Sequence, residues 1–161
     1  MIAILIHAVV SFASSVGFGI ITNIPKRTLL PAGITGSASW VVYVLLTNAT
    51  HSVIIPNLFA AITIGVLANI AALIVKAPVN VMYIPSLVSL VPGAIIYMSM
   101  KDFTLGREAA AQAGLVKTLT IAIALAVGFV MSEALFNQIR LPLRKWLTNR
   151  RKRRAANIHT K

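Results

Sequence analysis

Apolar residues dominate this chain in long runs, and short polar or proline-bearing stretches divide them. The first run, residues 2–21, is about the length a helix needs to cross a bilayer. It closes at Asn23-Ile24-Pro25-Lys26-Arg27, an asparagine, a helix-stopping proline and two cations. A secretory signal would begin basic and carry a shorter apolar core; no Lys or Arg precedes Lys26, so this run is expected to stay as a mature helix. The second run is shorter, 32–47, with Gly33, Gly36 and Ser37 making its start small, followed by Trp40 and Tyr43. The third, 53–75, has Pro56 in its first turn, where proline is tolerated, and ends at Lys76-Ala77-Pro78. Ala61, Gly65, Ala68 and Ala72 give it a small face of the kind that lets membrane helices approach closely.

The fourth run, 82–100, reads MYIPSLVSLVPGAIIYMSM and organises the rest. Pro92 removes a backbone N–H and displaces the carbonyl of Val88, and Gly93 adds freedom to turn. In hydrocarbon, such a break is tolerated only against protein or a wet cavity. Discontinuous helices of this kind build midplane sites in secondary transporters. A plain proline kink is the competing reading. Ser86, Ser89, Gly93 and Tyr97 recur at helical spacing and should share one narrow face, lining either a cavity or a packing seam. Residues 101–117 mix charges, alanines and two glycines, and predict a short surface helix. The fifth run, 118–139, is uninterrupted, with Ala124 and Gly128 on a small side and Glu133 inside it.

The prediction is an all-α integral membrane protein with five transmembrane helices, the fourth broken, over residues 1–139, and a basic cytoplasmic tail over 140–161. Composition agrees: of 161 residues, 58% are hydrophobic and 11% charged, where ordinary globular domains carry roughly 25% charged residues. The net charge of +12 is unevenly placed. Lys26, Arg27, Lys76 and nine basic residues of the tail fall on one side of a five-span topology, against Lys101, Arg107 and Lys117 on the other. That bias puts the tail in the cytoplasm and the N-terminus outside. Trp146 and the arginine run read as an interfacial anchor near anionic lipid, or as a contact for a partner. No aromatic platform or binding motif accompanies these charges, so nucleic acid is not expected.

Candidate chemistry is sparse. There is no cysteine, and the acids are only Asp102, Glu108 and Glu133. His7, His51 and His159 match no metal-ligand spacing. Neither a catalytic constellation, nor a metal site, nor a cofactor is expected, and an enzyme is the weakest reading. The proposed substrate pathway is Ser86, Ser89, Pro92, Gly93 and Tyr97, joined by Asn69, the strongly polar side chain deep in the third run. A single amide such as Asn69 usually bonds a neighbouring helix, which is its competing reading, and His7 reads as packing or proton relay. Glu133 reads as an interfacial acid or as a proton-coupling site. Small faces on several helices suggest that the chain works with another membrane protein or forms a homo-oligomer. The competing function is a structural or assembly factor with no transport site of its own.

VGFGIITNIPKRTLL at the end of the first run, AGITGSASW in the second and VPGAIIYMSM in the fourth resemble the threonine/serine exporter family, specifically its small five-span subunit. Asn23, Pro25, Arg27, the Pro92-Gly93 pair, Asp102 and Gly106 carry the likeness. The resemblance implies secondary export of a small carboxylate-bearing solute, a hydroxy amino acid or a short dicarboxylate, through a bacterial cell membrane. It also implies a second multi-span subunit that supplies the other half. The soluble hydrolase-like segment of that other half has no counterpart here, so none of its residues carries over.

Overall fold

Six α-helices follow one another in the computed structural model, which describes residues 2–158, with side chains described as far as Gln138. They are α1 (Ile2–Ile21), α2 (Lys26–Thr50), α3 (Ile54–Val75), α4 (Asn80–Leu87), α5 (Gly93–Thr104) and α6 (Glu108–Ile158). Among the described residues there is no strand. Four helices are long and apolar enough to cross a membrane: α1, α2, α3 and the Glu108–Gln138 part of α6. The fourth apolar run is not one of these, because it is divided between α4 and α5.

The ends of the long helices explain the tight packing of the first three. Asn23, His51 and Lys76 each adopt a left-handed backbone, with φ of 55°, 49° and 53°. Each stops its helix and turns the chain back. After Asn23 the N–H of Ile24 donates to the Gly19 carbonyl at 3.0 Å, and after Lys76 that of Ala77 donates to Ala72 at 3.2 Å. These bonds satisfy carbonyls a helix end would otherwise leave open. α2 begins earlier than its apolar run predicts. Pro25 presets the backbone, and Thr28 donates to the Pro25 carbonyl from both its N–H (2.8 Å) and its hydroxyl (2.7 Å). The helix therefore starts in the polar turn, at Lys26.

α3 is the centre. Its Ala60, Ala61, Ile64 and Ala68 are fully buried, with α2, α4 and α6 against it. Side chains this small bring backbones together at the crossings. A β-carbon at Gly36 on α2 would overlap the Ser15 hydroxyl on α1, one at Gly65 on α3 would overlap Ser132 on α6, and one at Gly114 on α6 would overlap Ser99 on α5. At Gly128 it would meet the Leu58 carbonyl at 2.6 Å. With few large side chains to interdigitate, close contact is the available source of dispersion energy between helices in lipid.

One expectation for the last third needs correction. Residues 101–117 do not form a separate surface helix. They divide between the end of α5, a turn at 105–107 and the first ten residues of α6. Gly106 takes φ 72° in that turn, Arg107 N–H donates to the Asp102 carbonyl at 2.9 Å, and the two side chains pair at 3.6 Å. The alanines after Glu108 start a helix that simply continues into the fifth apolar run, and Gly114 is kept for its contact with Ser99. α6 also runs on through residues 139 and 140 as helix. The readings placed on Trp146 and the basic side chains of the tail fall outside the described side chains.

The last helices also stand at a different height. Gly128 stands beside Leu58 and Ala61, near the start of α3. Gly114, fourteen residues earlier on α6, lies about 21 Å further along the helix axis. The α5–α6 hairpin, paired at Ser99 and Gly114, therefore projects well beyond the start of α3. α5 packs against α6 alone among the described helices. What lies alongside α3 from the fourth run is α4 and the link 88–92, not α5.

Candidate functional site

Pro92 stops the fourth run as its chemistry requires. α4 ends at Leu87, whose carbonyl accepts from Leu90 N–H at 2.8 Å and Val91 N–H at 3.2 Å. Gly93 N–H then folds back onto the Val91 carbonyl at 2.8 Å, a tight turn about Pro92 (φ −76°, ψ 46°) close to an inverse γ-turn. Among the described residues no backbone N–H donates to the carbonyls of Val88, Ser89 or Leu90. Gly93 has an ordinary φ, and a β-carbon there would meet nothing within 4 Å. Its expected turning freedom is thus not used, and Pro92 makes the break. Pro85, inside α4, withdraws a further donor.

The link opens onto a cavity of about 230 Å³ lined by Trp40, Tyr43, Asn57, Ser89, Pro92 and Ile95, with Leu90, Val91, Ala94 and Ile121 completing the wall. Trp40 and Tyr43 stack with ring centroids 5.0 Å apart, and Trp40 donates its indole N–H to Nδ1 of His7 at 3.4 Å. No charged residue lines it among the described residues. Its polar side chains are the Tyr43 and Ser89 hydroxyls, the Asn57 amide and the Trp40 indole.

The predicted stripe does not stay together. Ser86 is fully buried and donates to the Ala32 carbonyl of α2 at 3.0 Å, which makes it a helix-to-helix bond. Ser89 lies in the link, 3.1 Å from the Ser11 hydroxyl of α1. Ser89 and Pro92 share the cavity. Tyr97 is 71% exposed on the projecting hairpin. One helical face was the premise for grouping these residues, and the turn at Pro92 rotates α5 away from α4. Trp40, Tyr43 and Asn57 join the cavity from other helices. Asn57, a buried amide one residue after Pro56, is the signal in the sequence that could have pointed to it.

A second cavity, of about 540 Å³, lies at the opposite end of α3, lined by Asn69, Ala72, Leu73, Lys76, Ala77, Pro78, Val79 and Phe136. Asn69 Nδ2 donates to the Gly65 carbonyl at 2.8 Å and to the Tyr83 hydroxyl at 2.7 Å. Asn69 and the Ser89–Pro92 group are therefore in different cavities. Glu133 is exposed on α6 and lines neither.

A family model described as "Threonine/Serine exporter, ThrE" matches residues 7–135, which take in the whole of the link, the first cavity and all of the second but Phe136. No curated protein and no solved structure matches the chain.

Proposed function

The chain belongs to the threonine/serine exporter family, and from that premise we propose that it is the five-span half of a two-chain secondary exporter whose solute passes the break between α4 and α5. As a member it is a membrane protein of a transporter family rather than an enzyme. The observation that carries the proposal is the link 88–92: its Val88, Ser89 and Leu90 carbonyls accept no backbone N–H among the described residues, and its residues 89–92 line a cavity with Asn57. Unsatisfied backbone at membrane depth is costly unless it lines a cavity with polar contents.

A fifth crossing is supported by position. α4 starts beside Lys76 at one end of α3, and Pro92 and Ile95 share a cavity with Asn57 at the other. One short helix and an unwound link then do the work of a full span, which keeps the basic loops on a common, cytoplasmic face. The N-terminus and the α5–α6 hairpin lie outside.

A hydroxy amino acid suits the break cavity better than a dicarboxylate. Neutral hydroxyl, amide and carbonyl groups line it, and they can satisfy an ammonium, a carboxylate and a side-chain hydroxyl together. A dianion would call for cations that the described lining lacks. The hairpin supports the second chain. Its Tyr97, Met98, Phe103 and Val116 are all exposed, beyond the height that α3 gives the bundle, where another multi-span subunit would cover them. Glu133, exposed and outside the lining of both cavities, fits an acid reaching headgroup water.

Cells lacking this chain should retain threonine and serine that wild-type cells release when fed threonine-containing dipeptides. Unchanged efflux would remove the exporter reading.

A further inference from the structure

The Lys76 cavity has chemistry of its own, which the passage through the break does not require. It sits in the corner between the end of α3 and the start of α4. The last carbonyls of α3 bring partial negative charge to that corner, and the first N–H groups of α4 bring partial positive charge. Lys76 adds a full positive charge, the one charged residue of the lining among the described residues. At the floor is Asn69, only 7% exposed. Both of its amide hydrogens are spent, on Gly65 and Tyr83, while no described donor reaches its Oδ1. Unlike the enclosed hydroxyls of Ser15 and Ser132, this oxygen is not sealed from its surroundings, so it can take a partner from the cavity. The Tyr83 hydroxyl accepts from Asn69 and keeps its own proton free.

We propose that this cavity is a second binding position for the exported amino acid, a cytoplasmic vestibule in which Lys76 holds the carboxylate and Asn69 Oδ1 accepts from the ammonium. The assignment rests on the exporter reading above and extends it. A zwitterion uses both poles of the corner, whereas a dicarboxylate would set one charge against the α3 carbonyls. Asn69 is twelve residues from Asn57, about 18 Å along α3, so the two positions are separate. The Asn69–Tyr83 bond and the Tyr83–Phe129 ring pair, 5.5 Å between centroids, stand between them. A solute moving from one cavity to the other must part that hydrogen bond.

The native chain has no cysteine, so single thiols report cleanly. Ala77→Cys marks the vestibule and Ala94→Cys marks the break cavity. In inside-out vesicles carrying the full exporter, threonine should slow maleimide labelling at Ala77→Cys, and succinate should not. Adding Lys76→Gln should raise the threonine concentration needed for that protection about tenfold, as expected for losing a charge-assisted hydrogen bond. If that addition lowers insertion, protection of Leu73→Cys in the otherwise native chain gives the same reading. Protection at Ala94→Cys without protection at Ala77→Cys or Leu73→Cys would overturn the vestibule and leave the break reading standing. Protection at Ala77→Cys that ignores Lys76→Gln would overturn the role of the lysine. Protection nowhere, together with no threonine efflux, would remove the exporter reading and this proposal with it.

Discussion

Ser11 on α1 and Ser89 in the link meet hydroxyl to hydroxyl at 3.1 Å, while Ser11 also stands 3.2 Å from the Gly36 carbonyl on α2. One proton on Ser11 cannot serve both acceptors fully. With Ser11 donating to Gly36 and Ser89 donating to Ser11, both contacts are satisfied, and the link is tied to two helices at once. Ser89→Ala should cut threonine efflux about tenfold, and Ser11→Ala somewhat less, with each protein inserted at the native level. The scale follows from one or two hydrogen bonds of about 0.5–1.5 kcal/mol each. Efflux per inserted molecule is the measurement, and native efflux from both variants would detach these hydroxyls from transport.

The α3–α6 crossing makes a paired prediction. Gly65 leaves no room for a β-carbon beside Ser132, and the Ser132 hydroxyl is buried without a partner. Gly65→Ala should overpack the crossing and destabilise the protein by about 1–3 kcal/mol. Ser132→Ala should be neutral or stabilising by up to about 1 kcal/mol, since it removes an unsatisfied group. Thermal melting in detergent distinguishes them, and a marked loss of stability in Ser132→Ala would show that the hydroxyl has a partner.

Glu133 is the acid within the fifth apolar run, but it is exposed on α6 and lines neither cavity. Glu133→Gln should leave both the rate of threonine efflux and its dependence on pH unchanged. A flattened pH profile in a normally inserted variant would assign Glu133 to proton coupling instead.

Tyr97, a predicted pathway residue, is largely exposed on α5 and lines neither cavity described above. On the hairpin its expected role is contact with the second subunit. Tyr97→Glu should abolish co-purification of a partner subunit while the chain still inserts. Retained co-purification with weakened threonine affinity would return Tyr97 to the solute pathway.

The four long helices were legible because length and apolarity settle them, and small residues at intervals of four marked the faces that now pack. The separation of α4 from α5 falls at Pro92, which has no N–H to give. Grouping Ser86, Ser89, Gly93 and Tyr97 on one face does not follow, since it assumes a continuous helical period across the residue that interrupts it. The cavity partners Trp40, Tyr43 and Asn57 come from helices distant in sequence, and their convergence depends on which glycine meets which serine. The extent of α6 escaped for another reason. A polar stretch of alanines and charges has high helix propensity, and here it continued the helix that follows it.

The most direct test restores the donor that Pro92 removes. Pro92→Ala with Gly93→Ala should let α4 and α5 join, and the open space at residue 93 means the added methyl group costs nothing sterically. Helix propensity at residue 93 improves by about 1 kcal/mol. The variant should insert, hold its partner and melt no lower than the native chain, while threonine efflux falls to the level of cells without the protein. Native efflux from an inserted, stable double variant would contradict the account and reduce the break to a packing kink.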